Sequence, residues 1–240
     1  MKDPYVYEDI NVLKNKLNIR VEEELIEIEA QFFIANLLDI SSIADQLDFK
    51  SYKSLQSIHH FLFNDLYTWA GEFRTVDIFK EEEVLQGLSV QYSDKSKITS
   101  GLKDVFDWSK KILWDYGNPQ LIEDFAELMT SLWRIHPFRE GNTRTVSVFM
   151  NLFAEAKELR FDGELLSRHP GYLRNALVLS AVEEAPEPGY LINILGDALN
   201  LKVTDEENSE AGQSSKYRVI NQYDVAKYRQ KPFQTDEEPY

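Results

Sequence analysis

Apolar side chains recur at three- and four-residue intervals through almost every long segment of this chain, and that spacing constrains the fold more than any other feature. In "LIEDFAELMTSLWRI" it places Leu121, Phe125, Leu128, Leu132 and Ile135 on one side of a helix. "TRTVSVFMNLFAEAKEL" follows with Val146, Phe149, Met150 and Phe153. The same period runs through "RVEEELIEIEAQFFIANLL", "SLQSIHHFLFNDLYTWAG" and "SKITSGLKDVFDWSKKILWDYG". The expected class is therefore all-α. With 240 residues, including 14 Phe, 12 Tyr and 4 Trp, the chain has enough apolar material for one domain with a sizeable core.

One stretch breaks the helical rhythm. In "FRTVDIFKEEEVLQGLSVQYSD", Val76 and Ile78, then Leu88, Val90 and Tyr92, alternate around an acidic run and Gly87. Residues 74–92 are expected to form a two-stranded hairpin. An isolated hairpin is marginally stable and keeps an unpaired edge, which can receive another strand.

Charge narrows the partners. Twenty-six basic against 41 acidic residues give a formal charge of −15, which opposes nonspecific attraction to nucleic acid and to anionic membrane surfaces. No run of about 18 apolar residues marks a membrane span. The chain has no cysteine, which excludes thiolate chemistry and Cys-ligated zinc and allows a reducing compartment. A cytoplasmic location is expected, with secretion as an effector through an uncleaved signal left open. After about residue 200 the acidic, Ser-rich "VTDEENSEAGQSSKYR" reads as a linker leading to a polar tail, so the expected division is 1–200 and 201–240.

The densest chemistry lies in "WRIHPFREGNTRT", between two of the expected helices. Pro137 disfavours αR geometry at the residue before it, so the first helix should stop there and hold the His136 imidazole at its end. Phe138, apolar in a polar loop, should plug the core beneath it. Glu140, Gly141, Asn142 and Thr143 then open the next helix, whose first N–H groups lack intrahelical acceptors and attract anions. Gly141 lets backbone approach a phosphate closely, Asn142 can cap the helix or bind a phosphate oxygen, and Arg144 offers a guanidinium fork. Glu140 suits Mg²⁺, which takes one or two carboxylates plus substrate phosphates. His136, with an ordinary pKa of about 6.5, suits a general base near neutral pH. Taken singly, such residues are more often a helix cap, a turn, a solvated carboxylate and a surface arginine. Their combination carries the inference.

This segment resembles the Fic-domain signature HxFx[DE]GNGRxxR at His136, Phe138, Glu140, Gly141, Asn142 and Arg144. "LYTWAGEFRTV", with Trp69, Ala70, Gly71, Arg74 and Thr75, resembles the stretch that leads into that family's flap hairpin. The resemblance implies a helical Fic fold with a β-hairpin flap over residues 1–200. It implies a protein adenylyltransferase that transfers AMP from ATP, with Mg²⁺, onto a Ser, Thr or Tyr hydroxyl of a target protein. By the same resemblance His136 is the base, Glu140 holds Mg²⁺, and Gly141, Asn142, Thr143 and Arg144 bind nucleotide. Val76, Asp77 and Ile78 dock the target, and a separate antitoxin-like inhibitor is a further expected partner. Transfer of UMP or phosphocholine by the same loop, and a non-catalytic Fic-fold interaction protein, are the alternative readings. Two positions depart from the signature. Thr143 replaces its second glycine and Ser147 its final arginine, so a weak grip on the outer phosphate is expected unless Arg139, Lys80 or Arg174 substitutes.

Overall fold

In the computed structural model, residues 3–200, 216, 217, 220 and 233–235 are described. The apolar periodicity is realised as helices α1 (Glu22–Leu38), α2 (Ser41–Ala44), α3 (Lys53–Phe63), α4 (Ile98–Ser109), α5 (Leu121–Ile135), α6 (Asn142–Ala156), α7 (Gly163–Arg168), α8 (Pro170–Ala181) and α9 (Gly189–Ala198). The fold class is all-α, as the period requires. α5 is the hub and packs against α4, α6, α8 and α9. Its Leu121, Phe125, Leu128, Leu132 and Ile135 are all buried, as are Val146, Phe149, Met150 and Phe153 of α6. Phe149 and Phe153 stack one turn apart at 5.8 Å, and Phe49 leans on both from the loop before α3. α8 begins with Pro170 in its first turn, where a missing N–H costs nothing.

The flap differs from the expected hairpin in its strand partner. Residues 82–88 do turn back on themselves, with the Glu82 N–H donating to the Leu88 carbonyl and the Gly87 N–H to that of Glu82. Strand β1 (Ile78–Phe79), however, pairs antiparallel with β2 (Gln234–Thr235), in the register Ile78 to Thr235 and Phe79 to Gln234. Of the alternating Leu88, Val90 and Tyr92, the last two are buried and Leu88 is exposed, and the ladder partner of β1 is β2. Most of the expected 201–240 tail lies outside the described residues. Its described positions dock: Tyr217 is buried against His169 and Tyr172, and the Asn175 amide donates to the Ile220 carbonyl at 2.6 Å.

One α3 side chain ties the flap base to the loop between α5 and α6. His59 Nδ1 accepts the Gly71 N–H at 2.8 Å, so the ring proton sits on Nε2 and is donated to the Glu140 carbonyl at 3.1 Å. Its ring stacks on Phe138 at 3.9 Å. Acceptance at Nδ1 requires a neutral ring, and burial holds the His59 imidazole down at about 3.

The sign of the pH effect follows. The unfolded chain takes up a proton on this residue below about pH 6.5 while the folded chain does not, so stability falls as pH drops through that value toward about 3. His59→Gln retains a donor and an acceptor and does not titrate. Its unfolding free energy from urea melts should lose about 1.4 kcal/mol less per pH unit than wild type between about pH 6 and 4.

Candidate active site

α5 ends at Ile135 and His136 follows in the left-handed region at φ 49°, consistent with the exclusion of αR before proline. That turn aims the imidazole back over its own helix, where Nδ1 lies 2.8 Å from the Trp133 carbonyl. A carbonyl only accepts, so Nδ1 carries the proton and Nε2 keeps its lone pair. Burial, then Arg174, Arg74 and Lys80, hold the ring well below the ordinary histidine range. His136 is thus a neutral acceptor at neutral pH.

Arg74 clamps this end of α5 from the flap side. Its backbone N–H donates to the Pro137 carbonyl at 2.8 Å and its Nε to the His136 carbonyl at 2.8 Å, with Nη1 reaching Val76 O at 2.7 Å. A buried cation at a helix C-terminus complements the helix dipole. Asp77 closes the same bracket by accepting the Lys95 N–H at 2.7 Å. Of the three expected docking residues, Val76 and Asp77 are half-buried and engaged at the flap base, while Ile78 lies in the paired strand.

The loop after His136 is held by its own amide. Asn142 Oδ1 accepts the Phe138 N–H at 2.9 Å and its Nδ2 donates to the Phe138 carbonyl at 2.8 Å, so this side chain positions the loop. Phe138 is buried beneath it, as the sequence led one to expect. Gly141 caps α6 at φ +78°, and a Cβ there would meet the Phe63 ring at 2.7 Å. The glycine is therefore required twice, by conformation and by contact. Backbone amides of residues 142–144 form the open, positively polarised start of the 15-residue helix α6.

Around that start stand Glu140 and several cations, some with carboxylate partners of their own. Burial alone would raise Glu140, but Lys80, Arg144 and the Gly141 N–H outweigh it and hold its carboxyl below the ordinary glutamate range. Its Oε1 accepts that N–H at 2.9 Å. The group is ionised and partly exposed. Arg144 pairs with Glu29 of α1, and its Nη1 has no hydrogen-bond partner among the described residues. Thr143, in place of the second signature glycine, accepts from Trp133 Nε1 at 2.9 Å and from Arg174 Nη1 at 3.1 Å. Arg174 also reaches Glu82 of the flap and lies over the Trp133 ring at 4.8 Å. Ser147 is half-buried one turn further on. Arg174 therefore brings its charge to the helix start from a different helix, while Arg139 is committed to Asp3 at 2.8 Å.

His59, Tyr92 and Glu29 belong to this site and were not identified from the sequence. Tyr92 packs at 4.1 Å on His136, and Glu29 pairs Arg144. Their only signal was an apolar or amphipathic pattern shared with dozens of core and surface residues. Among the described residues no group of three His, Cys, Asp or Glu side chains forms a metal cluster, and no helix is long and apolar enough to cross a membrane.

An imidazole whose Nδ1–H is committed to a carbonyl, an ionised carboxylate and a positively polarised helix start thus stand around one loop. Residues 49–154 match the Fic/DOC family. It is 26% identical to "Protein adenylyltransferase VbhT" of Bartonella schoenbuchensis over 99% of this chain, and spans about half, 48%, of that relative's length. It is 24% identical to "Probable protein adenylyltransferase Fic" of Escherichia coli, covering 89% of this chain and 96% of the relative. Its fold is similar to the FIC domain of Bep8 from Bartonella sp. 1-1C, with a TM-score of 0.66 and 20% identity over 86% of this chain and 97% of that one. It is also similar to BepC from Bartonella tribocorum, solved with bound AMPPNP, with a TM-score of 0.64 and 19% identity over 81% and 95%.

Gly141→Ala should disrupt the loop through the Phe63 contact and the positive φ. A destabilisation of about 1–3 kcal/mol is expected in denaturant melts. Nucleotide affinity, measured by calorimetry, should fall with it.

Proposed function

We propose that this chain is a protein adenylyltransferase that moves AMP from ATP onto a Ser, Thr or Tyr hydroxyl of a target protein. The observation that carries the reading is the His136 tautomer: the Nδ1–H is committed to the Trp133 carbonyl, which leaves Nε2 as a neutral base beside the start of α6. The names of the relatives and the nucleotide bound to BepC support the same chemistry.

In this reading the target hydroxyl oxygen bonds to the α-phosphorus, its proton passes to His136 Nε2, and the bond to pyrophosphate breaks. The amides of residues 142–144 meet the charge that develops on the phosphate oxygens. Glu140, an ionised and partly exposed carboxylate, would hold a Mg²⁺ there, since that ion is typically bound by one or two carboxylates together with substrate phosphates. When bound, the ion neutralises phosphate charge. Thr143 leaves its backbone N–H for phosphate while its hydroxyl holds Trp133 and Arg174. Arg144 grips an outer phosphate by exchanging Glu29 for it. Target docking is by strand addition to the β1 edge.

His136→Ala should leave nucleotide affinity nearly unchanged and slow transfer by a factor of about 10²–10⁴, because the base acts on the attacking hydroxyl and does not hold phosphate. Labelled-ATP transfer read by intact mass checks the rate, and near wild-type transfer would sink the assignment.

Glu29→Gln removes the charge that competes with phosphate for Arg144. It should tighten ATP by about tenfold, or about 1.4 kcal/mol, in calorimetry, and AMP by much less.

A further inference from the structure

The β1 edge is already occupied. Gln234–Thr235 pairs with Ile78–Phe79, and the register carries Phe233 opposite Lys80, whose Nζ lies 4.9 Å from the Phe233 ring centre. Alternation along an extended strand sends Phe233 and Thr235 to one face and Gln234 to the other. Phe233 and Thr235 are buried and Gln234 is exposed, so the inward face of this strand is turned toward the site. There the Phe233 ring stands 5.1 Å from the His136 ring and 5.9 Å from that of Tyr92. Arg139, held by Asp3, donates to the Phe233 carbonyl at 3.0 Å and fixes the backbone. With this ring in place His136 is only 1% exposed.

We propose that Phe233–Thr235 is an internal pseudosubstrate: it takes the strand-docking edge of the flap and lays a side chain without a hydroxyl over the catalytic histidine, so that a target must displace it. The inference rests on the transferase reading for its consequence and on geometry alone for its occupancy. A phenyl ring excludes an incoming hydroxyl and offers no oxygen for the α-phosphorus. Among the described residues the contact comprises two strand residue pairs, the Phe233 ring and the Arg139 bond. A target segment that pairs over a longer stretch of edge wins the competition, although the tail's covalent attachment favours it against weak binders. The same register assigns the acceptor position of a target: its hydroxyl residue stands where Phe233 stands, immediately N-terminal to the two residues paired with β1.

The test uses the full chain and reads His136 directly. Diethyl pyrocarbonate acylates unprotonated imidazole, and peptide mass spectrometry locates the adduct. In wild type His136 should label slowly. In Phe233→Ala, and in Thr235→Pro as a second variant that breaks the strand without touching the ring, labelling should accelerate on the order of tenfold or more as the uncovered state becomes dominant. Buried His59 should stay unlabelled throughout, which shows that the fold is intact, and hydrogen exchange at the Ile78 and Phe79 amides should quicken. Transfer to a target mixture should rise in step with labelling. Unchanged labelling of His136 in both variants overturns the inference. Faster labelling with an unchanged, measurable transfer rate overturns the blocking role. Faster labelling with no transfer in any variant supports the occupancy and sinks the transferase reading instead.

Discussion

The Asn142 amide closes on both backbone atoms of Phe138, and the rest of the site depends on that closure. A loop of polar residues between two helices has many conformations, and ordering it costs about 1–2 kcal/mol per residue in backbone entropy. Two hydrogen bonds from a rigid, buried amide and one phenyl ring driven into the core offset that cost. With Phe138 fixed, His59 can stack on its ring and bond the Glu140 carbonyl, Gly141 can sit against Phe63, and α6 can start at a defined place. The imidazole of His136, on the other flank of the loop, inherits its position from the same constraint.

Electrostatics at the site run against the character of the chain. A protein of formal charge −15 gathers Lys80, Arg74, Arg139, Arg144 and Arg174 around one loop. The four arginines are buried or nearly so and each is held by a carboxylate or a carbonyl: Arg74 by the His136 carbonyl, Arg139 by Asp3, Arg144 by Glu29 and Arg174 by Glu82. Burial of so many cations is tolerable only because of those partners. Burial together with their combined field keeps His136 neutral, and the field keeps Glu140 ionised. Lys80, drawn down to about 7 by its burial, is the most responsive member of the set.

Much of this was legible in advance, for reasons that differ from residue to residue. The buried faces of α5 and α6 were named correctly because helical burial repeats with the helix period and needs no knowledge of partners. Phe138 was placed correctly because an apolar ring in a polar loop has few other uses. Asn142 was assigned to phosphate or to a cap, and instead its amide is spent on Phe138; nothing in a Gly-Asn pair distinguishes these uses. The hairpin failed in its pairing because alternation reports which side chains are buried and not which strand lies alongside. Val90 and Tyr92 alternate inward against the site, while the ladder partner of Ile78 sits more than 150 positions away at Thr235.

The amino-acid sequence by itself determined the helices, the stop at His136 and the gathering of His136, Glu140, Gly141, Asn142 and Arg144 at one interhelical loop. All of these rest on interactions within a few residues, where covalent geometry limits the options. Only the tertiary structure decided that Arg174 reaches Thr143 from α8, that Glu29 reaches Arg144 from α1, that His59 bridges flap and loop, and that Phe233 covers His136. These contacts join residues 12 to 115 positions apart. Such contacts are selected by how whole helices pack, and packing is a property of the assembled core that no local spacing encodes.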